Sequence, residues 1–526
     1  MRKLIPLLFF YFSSATAISQ DNYDVLHYKY ELEISDRSDT IYGKAAITIK
    51  LLAEATRVTF DLELLNDKGK GMQVGAVTGP KVKGLEREDE KITIGFTALN
   101  AGDTAVLVIP YHGVPSDGLI ISKNRFGKRT FFADNWPNRA HHWLPCKDDP
   151  ADKASVEFLV TAPNHYQVVS NGIMLEETNL PDNKKLTHWK EVLPLPTKVI
   201  VIGAAEFAVN VSGEVNCIPV TSWIYPEEKE KGLYDYAMAV PILSFFINYI
   251  GPYPFKKLAN VQSKTIFGGM ENASAIFYSE GSVTGTRESE GLIAHEIVHQ
   301  WFGNTVTEKH FAHLWLSEGF ATYLTHVYME NKYGKERFNT GLKEDRQQVI
   351  NFARSNTNPV VDFASPLMQL LNANSYQKGS WILHMLRRQL GDAVFKKIIR
   401  DYFEKYQGKN ADTRDFQDIS EQVSKKDLDK FFDQWLYKPG VPKLSITWKY
   451  EASKKQLAMT VMQQPGAFEF PLELGIREAN GSTRLINLKI SKATETFRVS
   501  LKGKPTSLIA DPNVSLLAET NVREEK

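Results

Sequence analysis

IAHEIVHQWFGN, residues 293–304, decides how the rest of the chain is read. Leu292, Ile293, Ile297, Val298, Trp301 and Phe302 recur at helical spacing, and Gly303 follows as a stop signal. On a helix, residues i and i+4 lie one above the other. His295 and His299 therefore point the same way and can share one cation. Zinc suits two imidazoles, and a catalytic zinc site takes a third protein ligand and keeps one position open. Glu296 stands beside the first histidine, where this motif carries the general base that acts on a metal-activated water. The bland alternative is a pair of structural histidines on a core helix. HLWLSEGFATYLTHVYMEN, residues 313–331, weighs against it. This segment also reads as a helix, and Glu318 near its start supplies the carboxylate that a two-histidine, one-glutamate site requires.

Two further stretches stand in line with these. FGGMEN lies upstream, with Gly268, Gly269, Met270, Glu271 and Asn272, and Tyr376-Gln377-Lys378-Gly379 lies downstream. HEIVHQWFGN followed by WLSEGF, with G-x-M-E-N before and Y-x-K-G after, resembles the M1 family of zinc aminopeptidases, among the gluzincin metallopeptidases. The resemblance runs from about residue 25 to about residue 515. It implies one zinc per chain on His295, His299 and Glu318, with Glu296 as base and Tyr376 stabilising the transition state. It also implies that Glu271 receives the free N-terminal ammonium, a contact a fixed carboxylate makes by a charge-assisted hydrogen bond. Gly268 and Gly269 then let substrate backbone approach, and Met270 shapes the first specificity pocket.

Two departures from the family pattern stand out. Most members carry an amine-binding glutamine upstream of the P-C motif. Counting back from Pro145 reaches FFADNW, so Asp134 occupies or neighbours that place, where an aspartate could still bind the ammonium. The family's acidic residue seven positions after the glutamate ligand is here Thr325, which puts less charge behind the metal.

Composition bounds the rest. With 526 residues there is room for two to four domains, and a formal charge of +1 implies no nucleic acid or other polyanion partner. MRKLIPLLFFYFSSATAIS has a basic start, a short apolar run and Ala15-Thr16-Ala17, so residues 1–17 read as a cleavable signal peptide and export to a periplasm or the exterior is expected. No later stretch is a convincing membrane span. AVPILSFFINYI, residues 239–250, fits a buried helix better. Cys146 and Cys217 could pair in an exported protein, but LPCKDDP resembles a family structural motif, so Cys146 is expected as a free buried thiol.

The fold class expected is a multidomain α+β protein. Residues 18–208 alternate as strands, as in Tyr28, Tyr30, Leu32 and Ile34, and match the family's β-rich N-terminal domain. Residues 209–440 are dominated by helical patterns and should form a thermolysin-like catalytic domain; Asp412-Thr413 marks one helix start. Residues 441–526 return to alternation, with Asn480-Gly481 as a hairpin turn, and read as a small β-sandwich. Many family members continue into a large helical domain, and this chain reads as a short form without it. The function expected is removal of N-terminal residues from peptides. The rivals are a thermolysin-like endopeptidase, the family's epoxide-hydrolase side activity, and a non-catalytic peptide-binding protein on the same scaffold. The oligomeric state is not legible.

Overall fold

Alternating side chains build the first third. In the strand Tyr23–Glu33, Tyr28, Tyr30 and Leu32 face inward and the residues between them are wetter. That strand pairs antiparallel with Ile41–Leu51, Tyr30 opposite Ala45, and parallel with Ala154–Pro163, Tyr30 opposite Phe158. It sits fourth in a seven-stranded sheet. A four-stranded sheet places Arg129–Ala133 beside Ile202–Ala205. The chain leaving Arg129–Ala133 carries residues 134–139 towards the site described below. The computed structural model describes residues 22–525 other than 89, 465 and 467, so the expected signal peptide, residues 1–17, lies outside the described residues.

The part expected to be mainly helical opens instead with a five-stranded sheet, Ala208–Val215, Ile218–Ile224, Leu258–Ser263, Ala275–Ser279 and the two-residue edge Gly269–Met270. Leu258–Ser263 is buried along its whole length, so it carries no alternation to reveal it as a strand. Helices follow, of which three matter here: α1 (Glu290–His299), α2 (Trp315–Tyr333) and α3 (Gly379–Leu390). The apolar run near residue 240 is the helix Ala239–Tyr249, which buries Ala239, Ile242, Leu243 and Phe246. Asp412 caps the helix Thr413–Ser424 through a reciprocal capping box with Asp415. Among the described residues, no helix is long and apolar enough to cross a membrane.

The last strands form a four-stranded and a three-stranded sheet. Phe470–Arg477 pairs with Thr483–Ile490 around a turn in which Gly481 takes a positive φ of 85°. Phe470, Leu472, Leu474 and Ile476 face the core between the two sheets. Cys146 is a free, buried thiol and Cys217 is free and exposed. The molecule therefore has a β-rich N-terminal part, a helical middle and C-terminal β-strands, the architecture the sequence leads one to expect.

Candidate active site

The metal-ligand candidates come together as helical spacing requires. His295 and His299 lie on α1, with their Nε2 atoms 3.1 Å apart. Each Nε2 is 3.3 Å from Oε2 of Glu318 on α2. One donor atom from each residue falls within a 4.8 Å group. His299 Nδ1 donates to the Phe302 carbonyl at 3.1 Å and lies 3.0 Å from Ser317 Oγ. A proton held on Nδ1 leaves the Nε2 lone pair free for a cation.

The charges fit a cation too. Burial alone would push the His299 imidazole down, yet Glu318, Glu271 and Glu296 outweigh it and lift it to about 10. Burial raises the Glu296 carboxyl well above its usual range, and Glu271 and Glu318 raise it further. Three buried carboxylates around two imidazoles thus hold an excess of negative charge that a divalent cation would offset. Two nitrogens and one carboxylate oxygen are the donor set zinc prefers when one position stays open.

Tyr376 reaches this group through a contact between backbones. Asn374–Lys378 is a turn of π-helix leading into α3, an irregularity frequent at functional sites. Gly379 follows it, and Gly319 follows Glu318. A Cβ placed on Gly319 would lie 2.8 Å from Gly379 Cα, so α2 and α3 touch backbone to backbone. The Tyr376 ring consequently stacks along His295 at 6.0 Å, with 9° between the planes. Burial, and then Glu318, push the Tyr376 phenol well up, so it keeps its proton and can donate it in a hydrogen bond. Lys378 of the same motif has a structural role, its Nζ donating to the carbonyls of Lys438 and Gly440 at 3.2 and 3.0 Å.

Glu271 follows the edge strand Gly269–Met270 on the facing wall. Its backbone carbonyl accepts from Gln300 Nε2 at 2.8 Å and Asn304 Nδ2 at 2.6 Å. The polar residues just beyond the second histidine therefore hold the GGMEN segment against α1. Gly269 lies so close to Glu296 that any Cβ there would collide with the carboxylate. One donor atom each from Glu271, Glu296 and His299 forms a second group within 4.8 Å. The ligands, Glu296, Glu271 and Tyr376 all line one cavity of about 400 Å³, and Gly268, Gly269 and Met270 complete its wall.

Comparison with known proteins points the same way. The sequence model of the peptidase M1 N-terminal domain matches residues 24–199, and that of the peptidase family M1 domain matches residues 234–435. The chain belongs to peptidase family M1. It is 28% identical to aminopeptidase M1-C of Oryza sativa subsp. japonica over 437 residues, covering 77% of this chain and 49% of the relative. It is 26% identical to human glutamyl aminopeptidase over 488 residues, covering 86% of this chain and 50% of the relative. A probable aminopeptidase 2 of Sulfurisphaera tokodaii is 29% identical over 381 residues, covering 68% of this chain and 48% of the relative. The chain spans about half the length of these curated relatives.

In this M1 peptidase the expected amine ligand Asp134 is displaced from the role the sequence suggests. Its carboxylate is fully buried and does not line the cavity. One oxygen takes Arg139 Nη2 at 2.6 Å, and the other takes Thr265 Oγ1 at 2.9 Å and Ile266 N at 3.0 Å. Both oxygens are thus committed to the protein itself. The residue of this segment on the cavity wall is Trp136, two positions on. The Thr325 hydroxyl is likewise engaged elsewhere, donating to the Ala321 carbonyl of its own helix at 2.8 Å. The group behind His299 is Ser317, which sequence reading missed. Its signal was its place immediately before the glutamate ligand, on the inner side of α2.

Proposed function

We propose that this M1 member is a zinc-dependent aminopeptidase that removes residues from the free N-terminus of peptides. The observation that carries the reading is the Glu271 carboxylate, buried beside Glu296 in the same cavity as the three ligand candidates. An endopeptidase has no use for a buried carboxylate there, because its substrate carries an amide and not an ammonium at that point.

His295, His299 and Glu318 are the residues to hold zinc, one ion per chain. When bound, zinc would polarise the scissile carbonyl and make a water acidic enough to attack near neutral pH. Glu296, held against the Gly269 backbone, takes the proton of the attacking water and returns it to the leaving amine. Tyr376 donates its phenolic hydrogen to the developing oxyanion. Glu271 binds the α-ammonium and so places the first peptide bond, and no later one, at the reacting centre. Export, read from residues 1–17, places the substrate among extracytoplasmic peptides.

The deciding experiment compares aminoacyl amides and short peptides with their N-acetylated copies, and measures bound metal on the same preparation. About one zinc per chain and cleavage of the free-amine forms only are expected. Equal cleavage of the acetylated copies would refute the amine anchor. Absence of metal, with no activity recovered on adding zinc, would refute the metal centre.

A further inference from the structure

Residues 134–139, DNWPNR, are an elaborate bracket around a single side chain. Asp134 ties this segment to Thr265 and Ile266, directly before Phe267 and Gly268 of the cavity wall. Asn135 donates to the carbonyls of Thr197 and Ile200 at 3.1 and 2.7 Å. Arg139 donates from Nε to the Trp136 carbonyl at 2.8 Å while its other nitrogens hold Asp134 and Asp117. The Trp136 ring meets Phe267 at 6.0 Å and 89° and Phe311 at 5.9 Å and 79°, both edge to face. These contacts fix Trp136, which is 2% exposed and lines the cavity.

The rest of the wall around the amine anchor is apolar: Phe267, Met270, Leu292 and Leu371 line it. Among the described residues, no lysine or arginine lines the cavity. The charged groups that do line it, apart from the histidines, are the carboxylates of Glu271, Glu296 and Glu318.

Resting on the aminopeptidase reading, we infer that Trp136 is the specificity-determining residue of the first-residue pocket and selects a large apolar N-terminal side chain, such as leucine, methionine or phenylalanine. A rigid aromatic wall rewards apolar area and leaves a small side chain poorly packed. An acidic side chain finds no lysine or arginine on the wall to pair with and loses its hydration against apolar surface. An arginine finds no hydrogen-bonding side chain on the apolar wall for its guanidinium, which loses its hydration there.

The test uses the full chain, with its zinc content verified, on 7-amidocoumarins of leucine, methionine, phenylalanine, alanine, arginine and glutamate. Leucine and methionine should exceed alanine in kcat/KM by about tenfold or more, and glutamate by about a hundredfold. Trp136→Ala should shrink the leucine-to-alanine ratio by about tenfold, while Trp136→Phe keeps it within about threefold. Leu371→Ala, on another part of the wall, should shrink the same ratio. Because both substrates are measured on one preparation, the ratio does not depend on how much of a variant is folded. Glutamate or arginine as the best substrate, or a ratio unmoved in Trp136→Ala, overturns the pocket assignment and leaves the aminopeptidase reading standing. Hydrolysis of none of the amides by a zinc-loaded chain overturns that reading and this one with it.

Discussion

The two walls of the cavity are built by opposite means. The metal wall comes from α1, α2 and the turn into α3, and its parts meet through short-range rules: histidines four apart, a glutamate one turn into the next helix, and two glycines in contact. The amine wall is assembled from segments far apart in the chain, residues 134–139, 197–200, 265–271 and 300–308, joined by buried polar contacts. Behind it the ammonium of Lys198 meets Glu308, with side chains 1% and 0% exposed, and Lys198 also sits 5.5 Å over the Phe311 ring that backs Trp136. Lys153 Nζ adds bonds to the carbonyls of Thr305 and Lys409 at 2.8 and 2.9 Å. Damage to the metal wall should therefore appear as lost chemistry in an intact protein. Damage to the amine wall should appear first as lost stability and altered binding.

The sharpest way to break this contrast is Glu296→Gln. It keeps the shape beside Gly269 and removes the base, so turnover should fall by at least a few hundredfold with zinc content and melting temperature little changed. Near-normal turnover would place the base elsewhere.

Lys198→Met tests the other wall and strands the Glu308 carboxylate in the interior. A loss of about 3–5 kcal/mol in unfolding free energy is expected, and Lys198→Met with Glu308→Met together should recover much of it. Denaturant melts of the two singles and the double settle this. Additive losses would mean that the pair is not a coupled unit.

Glu271→Ala should weaken kcat/KM on free-amine peptides by about 1.5–3 kcal/mol of transition-state binding, with zinc retained. Zinc loss in this variant would merge the two walls into one site and end the comparison.

The smallest effect concerns the back of the metal wall. His384 on α3 accepts from Tyr323 of α2 at Nδ1, 3.1 Å away, and donates from Nε2 to the Val514 carbonyl at 2.7 Å. Burial drives its imidazole down from the usual 6.5 to about 3. The unfolded chain binds that proton more readily, so the stabilisation is full above the unfolded value and is lost as the pH falls from about 6.5 towards 3. Between pH 6.5 and 5 a loss of about 2 kcal/mol is expected from this group, absent in His384→Phe, on comparing the two melts at each pH.

The same contrast explains what could be read from the sequence. The metal wall was legible because its spacings are local: His295 and His299 sit one helical turn apart, and Glu318 and Tyr376 lie in short motifs. The strand around Tyr30 and the hairpin at Gly481 were legible for the same reason, alternation and turn chemistry being properties of neighbours. Asp134 was misread because its partners Thr265 and Ile266 are more than a hundred residues away, and nothing within FFADNW says which side chain turns inward. Nothing local in FFADNW marks Trp136 as a cavity residue. The strand Leu258–Ser263 was hidden because, buried on both faces, it has no polar side to alternate with.

The contact of Gly319 with Gly379 also bears on the mutational paths open to this chain. No residue is smaller than glycine, so neither position can shrink to accommodate growth at the other, and the usual route of paired compensating change is closed. A single added methyl would push apart the helices that carry Glu318 and Tyr376. The metal wall is thus frozen from both sides. Lineages or designers seeking new substrates must work on cavity residues away from that contact, such as Trp136, Leu292 and Leu371, whose side chains can be exchanged one at a time.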